Sequence, residues 1–464
     1  MKKGSLKRIG STSLTDMTQG PVLFQLIWFA IPLFIGNIFQ QLYTTADCFV
    51  VGRFLGKESL AAIGSTSQLV LTVVIFFNGF STGAQVVISQ CFGSKNIPSL
   101  RKSVHTALAS SFLISVFMTG LGLITSPLML RLIGVPENVF SLANDYLKIY
   151  FSGIVFLIFY NMGSGILRAL GDSKRPLYFL IFSSLVNIIL DFIFVVLLGF
   201  GVKGAAWATV ISEAVSIIPV LHSLLFTKEA YKVSIREFKI DASLLSKMMK
   251  IGLPGAISSC ITAFSNTLIQ KYVYLFGSSC MAGFSVFARF DQFILLPMRS
   301  ISVAATTFIA QNFGAGKKDR IKYGIKISFV LSVLIIAFIS ILFFVFSNFL
   351  TSIFIKETES IKYGSLFIKR AAPFYIFCVM SMLHSQILRG LGNSMIPTII
   401  TFSGFVLLRQ TILFVGTKLS SSFWIVSTAY PVVWIFTAAS MFIYFKIYMR
   451  KMLYNENPKL VVIS

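Results

Sequence analysis

Ile166-Leu167-Arg168-Ala169-Leu170-Gly171-Asp172-Ser173, followed by Pro176, returns 221 residues later as Ile387-Leu388-Arg389-Gly390-Leu391-Gly392-Asn393-Ser394, followed by Pro397. Ile88-Ser89-Gln90-Cys91-Phe92-Gly93 reads against Ile309-Ala310-Gln311-Asn312-Phe313-Gly314 at the same spacing, and Ile31-Pro32 against Leu253-Pro254 at a spacing one residue longer. Three matches in order make the chain a duplicated unit. Long apolar runs such as Pro21 to Tyr43 and Ile325 to Phe346 place that unit in a bilayer, since about 20 apolar residues suffice for a helix to span the hydrocarbon core. Two halves about a shared central site are the plan by which helical transporters obtain alternating access.

Composition supports a membrane location. Of 464 residues, 56% are hydrophobic and only 12% charged, and mean hydropathy is +0.83. A water-soluble fold has no surface on which to place so many apolar groups. The net charge of +24 would suit nucleic acid if it formed one patch. The basic residues instead punctuate the apolar runs, as loop charges of a membrane protein do, so nucleic acid is excluded as a partner. Cys48, Cys91, Cys260, Cys280 and Cys378 stand in apolar context without paired spacing and read as small buried hydrophobes. Met1 to Gln19 lacks an apolar core, so no cleavable signal is expected and the first span acts as its own insertion signal.

The pattern predicts an all-α polytopic protein of twelve transmembrane helices: Val22–Thr44, Ser59–Gln90, Leu100–Ile124, Val139–Tyr160, Pro176–Leu198, Val202–Phe226, Leu244–Leu275, Ser279–Ala310, Ile321–Phe346, Ser360–Gln386, Pro397–Val415 and Ser422–Tyr448. Most of the 40 Lys and Arg fall on one set of loops, including Lys2, Lys3, Lys7 and Arg8, Lys95 to Lys102, Lys228 to Lys250, and Lys317 to Lys326. The positive-inside rule then sets both termini in the cytoplasm. Six helices per half is an even number, so both halves enter from one side and form two lobes related by a pseudo-twofold along the membrane normal. The expected organisation is a cytoplasmic tail (1–20), an N-lobe (21–226), a cytoplasmic linker (227–243), a C-lobe (244–450) and a second cytoplasmic tail (451–464). Leu244, Leu245, Met248 and Met249 alternate with Lys247 and Lys250, which suggests an interfacial amphipathic segment at the end of the linker.

Asp47, Asp191, Glu213 and Asp291 fall inside or near the ends of spans, where an ionisable group costs several kcal/mol unless it is paired, protonated or hydrated. Asp47 follows Gln40, Gln41, Tyr43, Thr44 and Thr45 at the outer end of the first helix. Asp191 lies roughly 22 Å from the inner start of the fifth, with Asn187 one turn earlier on the same face. Thr209, seven residues into the sixth helix, has similar depth. Two neighbouring carboxylates with an amide and a hydroxyl can share a proton, and the same oxygens could hold sodium. The plainer alternative is that Asp47 caps a helix end at the headgroups while Asp191 alone is buried. Glu213 reads as a lobe-packing residue near the inner end of its helix, and Asp291 as either an ion pair with Arg289 or a cavity charge. Pro32 and Pro254, at matching positions, allow a moving kink or a static bend. Some of the 48 Phe and 15 Met suit a pocket for apolar ligands and organic cations. No nucleotide-binding G-x-x-x-x-G-K-[ST] loop, Ser/His/Asp set or metal spacing is present. The chain is therefore not read as an enzyme, no cofactor is expected, and an ion or solute gradient must supply the energy.

The duplicated plan resembles the multidrug and toxic compound extrusion (MATE) family, nearest the bacterial MepA/DinF-like group. So do Met17-Thr18-Gln19-Gly20-Pro21, Gln40-Gln41-Leu42-Tyr43-Thr44-Thr45-Ala46-Asp47, Val50 to Gly56, Ser81-Thr82-Gly83-Ala84 and Gly204-Ala205-Ala206-Trp207-Ala208-Thr209. The resemblance runs from about residue 17 to 450. It implies a monomeric antiporter of the bacterial plasma membrane, carrying drugs or toxic organic cations outward in exchange for H+ or Na+. The family's N-lobe ion site maps onto Asp47, Asn187, Asp191 and Thr209, and its bending proline onto Pro32. Tyr43, Asn161 and Gln40 are further candidates for the substrate cavity. One branch of the family carries an acidic cation ligand in the seventh helix. This chain has no Asp or Glu there, and the repeat places Ile412 opposite Asp191, so coupling through the N-lobe is favoured. A lipid-linked sugar flippase of the same superfamily is the main rival, and it would need a cationic cleft for which Arg289, Arg299 and Arg409 are the candidates. An intramembrane enzyme lacks its paired Asp or His/Asp motifs.

Overall fold

The computed structural model of the protein describes residues 15–419 and 423–454. The basic cluster at Lys2 to Arg8, the predicted start of the last helix at Ser422 and most of the C-terminal tail lie outside those residues. Among the described residues every regular element is helical. The twelve long helices are α1 (Val22–Phe54), α2 (Gly56–Gly93), α3 (Ile97–Leu132), α4 (Glu137–Ala169), α5 (Lys174–Leu197), α6 (Gly201–Leu225), α7 (Ala242–Val273), α8 (Ser278–Gly314), α9 (Lys318–Val345), α10 (Thr358–Gly390), α11 (Met395–Leu419) and α12 (Trp424–Tyr454). A short helix, Ser347–Phe354, joins α9 to α10.

Eleven of the twelve are long and apolar enough to span a bilayer. The exception, α7, has 32 residues, but Ser258, Ser259, Thr262, Ser265, Asn266, Thr267 and Gln270 dilute its apolar character. Several of those groups face partners inside the protein. Ser265 accepts from Arg409, and Thr398 donates to the Pro254 carbonyl at 2.8 Å. Two six-helix lobes, each one copy of the repeat, are related by the pseudo-twofold along the membrane normal.

The opening motif is a helix end, a turn and a helix start. Gly171 and Gly392 take φ of 87° and 93°, a left-handed conformation that glycine adopts at no steric cost. The Asp172 amide donates back to Leu167 at 3.0 Å and the Asn393 amide to Leu388 at 2.8 Å, closing α4 and α10 in the same way. Asp172 Oδ1 then accepts from the Lys174 and Arg175 amides, capping the first turn of α5. We call the end of the molecule that carries these turns the near end.

At the near end the halves exchange helix starts. Val22, Leu26 and Phe29 of α1 pack in the core of the second half with Phe308, Ile321 and Ile325. Met248 and Ile251 of α7 pack in the first half with Phe80 and Val104. The predicted interfacial segment forms the first two turns of α7: Met248 is fully enclosed, whereas Ala242, Ser243, Ser246, Lys247 and Lys250 stay exposed. α2 crosses α7 so closely that a Cβ on Gly83 would lie 2.3 Å from the Met248 carbonyl oxygen. The linker is also held: Ser234 donates its amide to His105 at 3.0 Å, and Arg101 pairs with Glu237 at 2.7 Å.

Residues 15–20, expected as part of a tail, dock across both halves. The Met17 amide donates to Gln311 Oε1 at 3.0 Å, and its carbonyl accepts from Asn312 and Arg320. The Thr15 carbonyl lies against Gly171 of the first half. The helices also run longer than the sequence pattern suggests, because polar residues at their ends continue the backbone ladder beyond the apolar stretch. α1 extends to Phe54 rather than Thr44, and α4 to Ala169 rather than Tyr160.

Candidate functional site

Asp47 is seven residues short of the end of α1, so it does not cap a helix end. Asp191 ends the α-helical part of α5, and the chain continues into a π-turn, Phe192–Leu197. π-turns inside α-helices are frequent at functional sites. α5 packs against α1 and α6, with Leu177 and Leu180 lying beside Gly36 of α1. This packing brings the Asp47 and Asp191 carboxyls within hydrogen-bonding reach of each other. Two ionised carboxylates offer each other only acceptors, so a bond between them needs a shared proton, or a cation in its place.

Among the described residues no basic side chain acts on the pair. Asp191 is 1% exposed and Asn187 2% exposed. Both Asp191 oxygens, both Asn187 amide atoms and Asp47 Oδ1 are buried without a hydrogen-bond partner. Buried polar atoms are nearly always satisfied, so these atoms have hydrogen-bonding capacity to spare. The free oxygens suit a proton or a hard cation.

The other predicted residues sort by depth. Thr209 stands eight residues into α6 from the end opposite the near end, at the level of Asp47, but its hydroxyl donates to its own helix at the Ala205 carbonyl, 3.1 Å away. Tyr43, one turn before Asp47, lies in the electrostatic field of Asp47, Asp191 and Glu213. Gln40 is exposed and lies another turn toward the near end. Asn161 is not brought to the pair. It bonds the Leu157 carbonyl, receives Ser81 on its own carbonyl, and lies about 16 Å along α4 from Tyr150. Pro32 and Pro254 sit within helices that continue through them unbroken.

The level expected for Glu213 is corrected by the structure. It lies at the middle of α6 rather than near an end, one turn beyond Thr209 on the same face, and its charge reaches Tyr43, Tyr146 and Tyr150. The signal available was its spacing of four from Thr209.

The second half carries no copy of this site. Arg409, 1% exposed, follows the π-turn Ser403–Leu408 of α11. It donates to Ser265 Oγ at 2.7 Å and to Asn266 Oδ1 at 2.9 Å, and lies over the Phe405 and Tyr430 rings. Tyr430 is the repeat counterpart of Thr209. Asp291 accepts from the Tyr375 hydroxyl at 2.7 Å and, among the described residues, makes no ion pair with Arg289.

Comparison with known proteins agrees with the duplicated fold. The family described as MatE matches residues 32–193 and again 254–415. A probable multidrug resistance protein, YoeA of Bacillus subtilis (strain 168), is 30% identical over 80% of this chain and 82% of its own. Another from that organism, YpnP, is 29% identical over 85% of this chain and 88% of its own. A solved structure described as the outward-facing conformation of a multidrug resistance MATE family transporter of the MOP superfamily superposes with a TM-score of 0.89. It has 21% identity and covers 96% of this chain and all of that one. With the family's model matched once in each half, over most of the chain, the chain belongs to the multidrug and toxic compound extrusion (MATE) family.

Proposed function

We propose that this protein is a secondary active multidrug exporter of the bacterial plasma membrane, moving amphipathic and cationic organic compounds outward in exchange for protons, or for sodium ions held by the same oxygens. The observation that carries the reading is the Asp47–Asp191 pair, set among unpartnered buried groups with no basic side chain to neutralise it. Such a pair cannot keep two bare charges in a low-dielectric lobe. Taking up a proton or cation from outside relieves the repulsion, and releasing it inside restores it. A helix that responds to this change can alternate the lobe between two shapes, and α1 carries both Asp47 and Pro32.

Both termini are assigned to the cytoplasm, which makes the near end the cytoplasmic end. Its contacts then describe a molecule closed on the inside, the state from which an exporter releases substrate. No resident cofactor is needed, and the transporting unit is a monomer. The flippase alternative loses one of its three cationic candidates, because the Arg409 guanidinium is committed to Ser265, Asn266 and two aromatic faces.

The test is efflux of a fluorescent organic cation from proteoliposomes, with pH and sodium gradients imposed separately. Movement driven by either gradient and lost in Asp191→Asn supports the reading. No movement under either, with intact inserted protein, refutes it.

A further inference from the structure

The short helix Ser347–Phe354 lies at the end of the molecule opposite the near end, and its two faces differ sharply. Ser347 and Thr351, one turn apart, are fully buried and seat the helix on α10. The Ser365 hydroxyl donates to Ser347 Oγ at 3.1 Å, and Thr351 lies against Gly364. On the opposite face Phe349 and Ile353 are 64% and 58% exposed, and Phe346 and Phe354 flank them, also exposed. A helix that hides its hydroxyls and shows its aromatic rings is turned toward acyl chains at the membrane interface.

Between this helix and α10 is a cavity of about 390 Å³, lined by Asn348 of the short helix and by Thr358, Lys362, Ser365 and Lys369 of α10. Lys362 and Lys369 stand two turns apart on one face of α10. Among the described residues neither ammonium makes a hydrogen bond or an ion pair. The neighbouring carboxylates leave them charged: Glu357 accepts from Ser279 at 3.0 Å and from Ser360 at 2.7 Å, and Glu359 forms no ion pair with Lys362. Arg370 is engaged elsewhere, over the Trp424 ring. α10 has 33 residues, about 50 Å of helix against about 30 Å of hydrocarbon. Centred on the bilayer, it puts the hydrocarbon boundary about 10 Å from its start, between Lys362 and Lys369. Lysine at that depth extends its ammonium toward the headgroups, so both charges meet at the level of lipid phosphates. The first half does not repeat the arrangement: α3 continues to Leu132 with no separate short helix, and the counterparts of Lys362 and Lys369 are Ser141 and Lys148.

We propose that this groove binds the headgroup of an anionic phospholipid, its phosphate between Lys362 and Lys369 and its acyl chains along the exposed face of the short helix. Two cations facing one phosphate leave a net positive charge, which a second negative charge or a headgroup without a cation suits and a choline headgroup does not. The apolar wall beside the cavity favours a lipid over a free anion. The site needs only that the chain spans a bilayer and is separate from the exporter reading.

Native mass spectrometry of the full chain released from nanodiscs of equal dioleoylphosphatidylglycerol and dioleoylphosphatidylcholine tests it. Wild type should retain phosphatidylglycerol in preference to phosphatidylcholine. The double variant Lys362→Gln with Lys369→Gln should lower that retention by about tenfold, whereas Lys148→Gln should not change it. Lys362→Arg with Lys369→Arg keeps both charges and should behave as wild type. Equal retention of the two lipids by wild type, or unchanged retention in the double Gln variant, overturns the inference. So does an equal loss in Lys148→Gln or in the double Arg variant, which would mark a general charge or folding effect. Displacement of the retained lipid by inorganic phosphate, but not by chloride at the same ionic strength, would make the groove a free-anion site and overturn the lipid assignment.

Discussion

Gln311 reaches across the molecule to donate its side-chain amide to the Ala169 carbonyl at 2.8 Å. The contact is one of a pair: Gln90, the repeat counterpart of Gln311, donates to the carbonyl of Gly390, the counterpart of Ala169, at 3.1 Å. Around them Gly93 abuts the Gln311 backbone and Gly314 the Gln90 backbone. One repeated motif, Ile166–Ser173 and Ile387–Ser394, carries these carbonyls and the other, Ile88–Gly93 and Ile309–Gly314, supplies the donors, so the repeat meets itself where the two lobes close.

Gly93→Ala tests whether that closure is a state or a fixture. A Cβ at Gly93 would lie 1.9 Å from the Gln311 carbonyl oxygen, a clash with backbone that cannot be relieved by a rotamer. The variant should favour the near-end-open form and slow efflux several-fold. Spin-label distances between Ser94 and Ala315 should lengthen, and an unchanged distance distribution would show that the contact does not report the state.

Met17 is the second element of that closure. It is fully buried in the core of the second half, and its backbone is bonded on both sides. Met17→Asp places an unpaired carboxylate in that core and should cost about 3 kcal/mol, whereas Met17→Leu should cost less than about 1.5 kcal/mol. Arg320→Ala leaves the core intact but removes the hydrogen bonds that its Nε and Nη2 give to Met17, Gln19 and Gln25, and it should raise protease access to the N-terminal segment. Equal melting temperatures for Met17→Asp and wild type in detergent would contradict the docked segment.

How far these contacts were legible in sequence depends on the kind of information they need. The repeat, the helix order and the lobe count follow from spacing and apolar runs, which are local or self-similar. Docking of Met17 was not legible, because a short polar segment gives no periodicity and its partners, Gln311 to Arg320, lie about 300 residues away in sequence. Asp47 and Asp191 could be paired by depth alone, since each helix acts as a ruler of 1.5 Å per residue. Glu213 could be placed with the same ruler, since the predicted sixth helix, Val202–Phe226, differs from the observed one by a residue at each end and already puts Glu213 at its middle. Asn161 was picked for its identity, and its bonds within the α2–α4 contact depend on a packing that no local pattern encodes.

Pro32 removes one backbone hydrogen bond from α1 at a point where the helix leaves the second half's core for the first half's ion pair. If that weak point lets α1 respond to the Asp47 charge state, Pro32→Ala should reduce turnover several-fold while substrate affinity changes little. Turnover equal to wild type, measured at saturating substrate in proteoliposomes, would make the proline a static bend.

Asp47→Asn and Asp191→Asn remove the shared proton or cation by different routes, and their comparison locates the coupling. An amide in place of either carboxyl keeps size and hydrogen-bond capacity but leaves one carboxylate instead of two, so no repulsion remains for an ion to relieve. Each variant should insert and fold with a melting temperature near wild type, bind a cationic substrate, and lose gradient-driven efflux almost completely. Exchange down the substrate's own gradient should survive, because the lobes can still move. Gradient-driven efflux that persists in Asp47→Asn but not in Asp191→Asn would leave Asp191 as the sole ion-binding carboxyl, and persistence in both would remove the pair from the mechanism.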